Sequence, residues 1–111
     1  MHELGLAEDV LNKIKEAARK LGLTKLTYAK VQIGETLITD PPEFRELFNT
    51  ISSGSVAEGM ELDLEIKSLR VECVECKSAF NPEQLRFDCP QCGSTNIQVI
   101  SGREINIIDL R

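Results

Sequence analysis

The chain has 111 residues and a net charge of −5, with 41% hydrophobic and 28% charged residues. This length fits one ordinary domain with a small appendage, and the composition is that of a soluble globular protein rather than a disordered chain. No apolar run approaches the ~20 residues that cross a bilayer, and no secretory signal is visible, so a cytoplasmic location is expected. The acidic balance argues against a general nucleic-acid binder, which normally carries a basic patch.

The first long segment, residues 4–21, carries apolar residues at helical spacing with charged residues between them. This pattern predicts an amphipathic helix. Acidic residues come early and basic residues late, as the helix dipole favours, and Gly22 follows as the expected C-terminal cap. A strand is predicted next, over residues 24–33, with Ala29, Val31 and Ile33 on one face.

The sequence Asp40-Pro41-Pro42-Glu43 predicts the start of a second helix. Asp40 would be the N-cap, Pro41 would occupy the first helical position, and Glu43 would close a pattern like a capping box. The buried stripe of this helix is predicted to consist of Phe44, Leu47, Phe48 and Ile51.

A second strand is predicted from about residue 61, where Leu62, Leu64 and Ile66 alternate with charged residues. The apolar alternation continues through Leu69 and Val71, so this strand is predicted to run straight into Cys73, and further strands are predicted at 97–100 and 103–110. This order predicts an α+β fold, with two helices packed on a small three-stranded mixed sheet and an inserted four-cysteine zinc-ribbon-like domain. The expected division is 1–70 plus 102–111 for the α+β domain and 71–101 for the insertion.

The four cysteines form a C-x2-C-x12-C-x2-C pattern at Cys73, Cys76, Cys89 and Cys92. The short spacing lets both thiolates of a pair meet one ion, and four thiolates favour a closed, structural, tetrahedral Zn(II) site. Gly93, after the last cysteine, permits a tight turn whose amides can point at the sulfurs. The alternatives are a redox dithiol, two disulfides and a rubredoxin-like iron site, but one metal best explains two pairs at matched spacing.

His2 is the only histidine in the chain and lies one peptide bond from the α-amine of Met1. The α-amine, the deprotonated amide of His2 and its imidazole can chelate one metal in adjoining rings. This planar arrangement suits Ni(II) or Cu(II). A lone terminal histidine is more often simply exposed to solvent, so this feature by itself does not assign a metal site.

Together, these features resemble the hydrogenase maturation nickel chaperones known as HypA, or HybF in some species. The resemblance covers the full length and rests on Met1-His2-Glu3 before the first helix, Gly34-Glu35 after the first strand, the paired C-x2-C motifs, and Gly102 with Glu104. It implies a cytoplasmic protein that binds Ni(II) at its N-terminus and helps to insert it into [NiFe]-hydrogenase. The implied partners are a nickel-handling GTPase, HypB, and the hydrogenase large subunit; some members also serve urease.

The resemblance further implies that nickel binds His2 together with backbone nitrogens of Met1, His2 and Glu3. It also implies that the side chains of Glu3 and Asp40 are ligands or lie next to ligands. Asp40 is fully explained as an N-cap, and Glu3 as an anion at a helix start. Some members add a histidine from the zinc domain, which this chain lacks, so any further ligand must come from Glu3, Asp40, the backbone, water or a partner.

Two other functions stay open: a zinc-stabilised protein–protein adaptor without nickel delivery, and a zinc-ribbon module that binds nucleic acid. Residues 71–101 hold four acidic and two basic residues, a net charge of −2, which makes a poor partner for phosphates. An enzyme is not expected, because the single histidine gives no Ser/His/Asp set and a four-cysteine zinc has no open position. The chain is expected to be a monomer or a dimer, the latter through exchange of the closing strand.

Overall fold

The computed structural model describes residues 3–82 and 88–111, and within them the chain forms two helices and six strands. The helices are α1 (Glu3–Leu21) and α2 (Pro41–Ile51). The strands, in chain order, are β1 (Tyr28–Gly34), β2 (Glu61–Lys67), β3 (Arg70–Cys73), β4 (Ala79–Phe80), β5 (Ile97–Ser101) and β6 (Ile105–Leu110). Neither helix in this part of the chain is long and apolar enough to span a membrane.

The main sheet has three strands in the order β2-β1-β6. β1 and β2 are parallel, with Tyr28 opposite Glu61, and α2 lies in the connection between them. β6 returns antiparallel to β1, with Ile33 opposite Ile105. The predicted three-stranded mixed sheet and α+β class are therefore confirmed.

The core lies between this sheet and the two helices. Ala29, Val31 and Ile33 of β1 are fully buried on one face, as their alternation predicts. The stripe of α1 is buried with them, and α2 adds Phe44 and Phe48, whose rings stack with centroids 6.0 Å apart. The other two residues of the predicted α2 stripe, Leu47 and Ile51, are only half-buried at its margin.

A second sheet, entirely antiparallel, has the order β4-β3-β5. The apolar alternation from β2 into Cys73 is not one continuous strand, so that prediction is wrong. The chain leaves the main sheet after Lys67, and β3 joins the second sheet, with Val71 opposite Val99. The short strand β4, which pairs Phe80 with Val71, was not predicted, because two residues give no periodicity to detect.

Two predicted strands begin later than expected. β1 begins at Tyr28, because the backbone before it is bonded elsewhere: the Leu26 N–H donates to the Val56 carbonyl at 2.9 Å. The Thr27 N–H donates to the carbonyl of Arg111 at 2.7 Å. β6 begins at Ile105 because Gly102, with φ +100°, turns the chain away from the second sheet just before it.

The two sheets meet where the loop after β1 contacts the turn at Gly102. A Cβ on Gly34 would lie 2.2 Å from the carbonyl carbon of Gly102, so the two backbones touch with no room for a side chain. Thr36 donates to the Gly102 carbonyl from both its N–H, at 3.2 Å, and its hydroxyl, at 2.7 Å. The Leu69 N–H donates to the carboxylate of Glu35. This junction therefore connects both sheets to the loop at residues 34–40.

Candidate metal centres

The four cysteine sulfurs converge on one point beside the second sheet. All four Sγ atoms lie within 4.8 Å of one another, and the Cys73–Cys92 and Cys76–Cys89 pairs are 3.6 Å apart. Zn–S bonds of about 2.3 Å place the sulfurs of a tetrahedral site about 3.8 Å apart. The sulfurs of each close pair come from different C-x2-C motifs, so the cluster is one centre, and its size fits a tetrahedral metal ion.

The two C-x2-C segments fold in the same way. In the first, the Lys77 N–H donates to the Cys73 carbonyl at 2.9 Å, and the Cys73 N–H donates to the Ser78 carbonyl at 2.9 Å. In the second, the Gly93 N–H donates to the Cys89 carbonyl at 2.8 Å, and the Cys89 N–H donates to the Ser94 carbonyl at 2.8 Å. These matched turns orient the sulfurs toward a common centre.

Each turn requires a left-handed residue directly after its second cysteine. Gly93 has φ +75°, as its position in the motif suggests, but the equivalent residue in the first turn is Lys77, with φ +67°. A side chain in this region is strained by roughly 1–2 kcal/mol. No sequence signal marks Lys77, because lysine has no preference for this conformation.

The cysteines differ in their proton affinity. Hydrogen bonding with the side chain and then with the backbone of Ser78 lowers the pKa of Cys76 to about 6. For Cys92, the backbone hydrogen bond of Ser94 lowers the pKa, but hydrogen bonding to Cys73 and desolvation raise it more, to about 12. Thiolates, not thiols, are metal ligands, so a cation that binds all four sulfurs has to displace protons.

Glu3 is the first residue of α1, and its side chain is buried with only 6% of its surface exposed. Its Oε1 atom accepts two hydrogen bonds from Thr39, one from the N–H at 3.1 Å and one from the hydroxyl at 3.0 Å. Its Oε2 atom is also buried and has no hydrogen-bond partner among the described residues. Met1 and His2, the remaining residues predicted to bind nickel, lie outside the described residues.

Asp40 follows Thr39 directly and is the N-cap of α2, as predicted. Its Oδ1 accepts a hydrogen bond from the Glu43 N–H at 3.1 Å, and Pro41 occupies the first helical position. The structure thus places the starts of α1 and α2 side by side, joined by the contact from Thr39 to Glu3. Sequence reasoning missed Thr39, because no local pattern indicates that its hydroxyl contacts a residue 36 positions away.

A surface groove runs along these two helix starts. Its lining combines the partly exposed apolar side chains of Leu4 and Leu47 with acidic residues of both helices. The lining residues are Glu3, Leu4, Gly5, Glu8, Thr39, Glu43 and Leu47. The start of α1 therefore lies beside an acidic, partly apolar surface.

Comparisons with known proteins agree over the full length. A family model described as "Hydrogenase/urease nickel incorporation, metallochaperone, hypA" matches residues 1–111. The hydrogenase maturation factor HypA of Aquifex aeolicus is 36% identical over 105 residues, covering 95% of this chain and 91% of that protein. The HypA of Methanococcus maripaludis strain C6 is 32% identical, with 98% and 93% covered.

A solved structure is also similar. The solution structure of the Ni metallochaperone HypA from Helicobacter pylori superimposes with a TM-score of 0.74 at 28% sequence identity. The match covers 99% of this chain and 96% of that chain. The two chains therefore share one fold over nearly their full length.

Proposed function

Because the chain belongs to the HypA family, it is a nickel metallochaperone of hydrogenase maturation, and we propose that it binds its cargo Ni(II) at the N-terminus. The ligands in this proposal are the imidazole of His2 and the backbone nitrogens of Met1, His2 and Glu3. Of these, the α-amine, the His2 amide and the imidazole form adjoining chelate rings in one plane, which suits Ni(II). The cargo would be held by coordination and passed on by ligand exchange, without catalysis.

The position of Glu3 supports this proposal. It is the first residue of α1, and the first amides of a helix have no acceptor within the helix, so its N–H is not committed to the helical ladder. Its side chain is held by Thr39, next to Asp40. We propose that the carboxylates of Glu3 and Asp40 lie beside the bound nickel, with Asp40 acting first as the cap of α2. Their negative charge would favour the divalent cargo.

For the cysteine cluster, we propose a structural Zn(II) bound by Cys73, Cys76, Cys89 and Cys92. The separations between their sulfurs and the closed set of four thiolates support zinc with no open position for a substrate. The ion would hold together the second sheet, whose own apolar core is small. On this basis, residues 71–101 form the zinc domain, and residues 1–70 with 102–111 form the nickel-binding domain.

The partners that we propose are the GTPase HypB and the large subunit of [NiFe]-hydrogenase, with urease as a further recipient. Neither nucleic acid nor a membrane is part of this proposal. A cytoplasmic location suits it, because four cysteines kept as thiols or thiolates are typical of a reducing compartment. A site at the chain terminus also favours transfer, because a recipient can approach its ligands from outside. Both a monomer and a dimer are compatible with this use.

The test is an isothermal titration of untagged protein with Ni(II), in which His2→Ala is compared with the unchanged sequence. We expect stoichiometric binding that is lost in His2→Ala, while the thermal midpoint and the zinc content stay the same. As a matched pair, an N-terminal extension should abolish binding by removing the α-amine, whereas the same extension at the C-terminus should not. Unchanged nickel affinity in His2→Ala would reject the assigned site, and absence of nickel binding in every form would favour a zinc-stabilised adaptor.

A further inference from the structure

We propose that the outer edge of β6 is a docking site for an extended, acidic segment of another protein, which adds to the main sheet as a further strand. Lys13 of α1 and Arg103, just before β6, receive the carboxylates of this segment. None of the residues in this proposal takes part in the proposed nickel site, so it can be tested without nickel.

β6 is an edge strand, and among the strands that the structure describes, none pairs with its outer edge. The Gly34 N–H donates to the Glu104 carbonyl at 2.8 Å, so Glu104 directs its backbone groups toward β1. Backbone directions alternate along a strand, and the amides and carbonyls of Ile105 and Ile107 therefore point away from β1. They form a row of donors and acceptors to which an added strand can bond.

The opposite edge of the main sheet, formed by β2, is protected. Its Leu62 carbonyl already accepts a hydrogen bond from the Arg45 side chain at 2.8 Å. β6 has a single charged residue, Asp109, and half of the surface of its Ile108 is exposed. Charged side chains and covered backbone groups are common protections of an edge strand, so one edge is blocked and the other is open. The charged residues that alternate along β2 are Glu61, Asp63, Glu65 and Lys67.

A groove of about 440 Å³ lies between α1 and the start of the β6 edge. Ile105 is opposite the buried Ile33, so its side chain lies on the helix side of the sheet, the side from which Lys13 approaches. By alternation, the side chains of Glu104 and Asn106 lie on the other side. The helix side of the groove therefore combines apolar contact with positive charge. The lining residues are Lys13, Leu37, Arg103, Glu104, Ile105 and Asn106.

The two cations beside this edge have no partner among the described residues. Lys13 makes no ion pair there, and the guanidinium of Arg103 makes neither an ion pair nor a hydrogen bond. A free guanidinium matches a carboxylate with two parallel hydrogen bonds, so this pair of cations favours an acidic segment. The other described arginines all make a side-chain hydrogen bond: Arg19, Arg45, Arg70 and Arg111.

A second copy of this chain fits the edge less well than an acidic segment does. Pairing of two β6 strands about a two-fold axis would place both α1 helices on the same side of the joined sheet. Lys13 and Arg103 of both copies would then lie along one seam, where like charges repel. An acidic segment brings the opposite charge to the same positions.

The experiment measures the binding of a short, fluorescently labelled peptide of alternating glutamate and valine to the full chain by fluorescence anisotropy. One control peptide has lysine in place of glutamate, and another has proline in place of its central valine, which removes a ladder donor. The protein variants are Lys13→Glu and Arg103→Glu. Lys15→Glu is the matched control, because it makes the same charge change at an exposed position on another face of α1. Amide hydrogen exchange is recorded with and without peptide.

We expect the acidic peptide to bind with a Kd below about 1 mM and both control peptides to bind at least about tenfold more weakly. Lys13→Glu and Arg103→Glu should each weaken binding about fivefold or more, whereas Lys15→Glu should not. Both substituted side chains are exposed, so each variant should keep its thermal midpoint. The peptide should protect the amides of Ile105 and Ile107 but not that of Leu64 in β2.

Three results would overturn the proposal. The first is no binding of the acidic peptide, and the second is equal binding of the lysine peptide or equal weakening in Lys15→Glu. The third is protection of the Ile105 and Ile107 amides that rises with protein concentration in the absence of peptide, which would assign the edge to a second copy of this chain.

Discussion

Asp40 offers a pair of substitutions that separates two roles of one carboxylate. Its Oδ1 caps α2 by accepting the Glu43 N–H at 3.1 Å, and its charge lies next to the residue that holds Glu3. Asparagine caps helices about as well as aspartate, whereas alanine does not cap. Asp40→Asn therefore removes the charge and keeps the cap, and Asp40→Ala removes both.

The expected effects differ in size. Loss of the cap costs about 1 kcal/mol, and a change of 1 kcal/mol shifts the thermal midpoint of a domain of this size by about 4–8 °C. Asp40→Ala should therefore melt about 4–8 °C lower in calorimetry, and Asp40→Asn within about 2 °C of the original protein. An exposed charge near a cation contributes at most about 1 kcal/mol, so both variants should bind nickel within about fivefold of the original affinity.

Two results would refute this reasoning. If Asp40→Asn melts as low as Asp40→Ala, the cap bond to Glu43 does not stabilise α2 as the geometry indicates. If Asp40→Asn keeps its thermal midpoint but loses nickel affinity by far more than fivefold, the carboxylate binds the metal directly. Melting is measured on nickel-free protein, because a ligand that binds only the folded state raises the midpoint by itself.

Two further predictions concern the zinc cluster and the main sheet. Cys89→Ser should lose zinc in elemental analysis, and the amides of β5 should lose their protection from hydrogen exchange, because the second sheet has little other core. The control is Ser78→Ala, which removes a hydroxyl 3.3 Å from Cys76 Sγ but no ligand and should therefore keep zinc. A full zinc content in both variants would contradict a four-thiolate site. Tyr28 donates its hydroxyl proton to Asp63, which raises the pKa of Tyr28, so its ultraviolet titration should lie above that of free tyrosine and move to lower pH in Asp63→Asn. Tyr28 is the only tyrosine and the chain has no tryptophan, so an identical titration in both proteins would count against this contact.

The helices and the main sheet could be predicted from the sequence because each is marked by a local pattern. Apolar spacing in residues 4–21 and the Asp40-Pro41 start give α1 and α2 almost to the residue. The cysteine spacing likewise predicts one cluster of four sulfurs. In each case the pattern that carries the prediction lies within one short stretch of the sequence.

The contacts at the junction of the two sheets, which the sequence did not predict, join distant segments. The carboxylate of Glu35 accepts from the Leu69 N–H, and Gly34 touches the backbone of Gly102, so the junction depends on residues that are 34 or more positions apart. The break between β2 and β3 has the same origin: the apolar alternation continues through it, but the junction turns the chain into another sheet. Periodicity reports which face is buried and does not report which sheet buries it.

The two proposed metal sites differ in what would have to move for the ion to leave. The cysteines lie at the ends of paired backbone turns, with Cys73 and Cys89 buried, so releasing a metal from them would disrupt the turns and the end of β3. The proposed nickel ligands all come from the first three residues, which can leave the ion without breaking any strand.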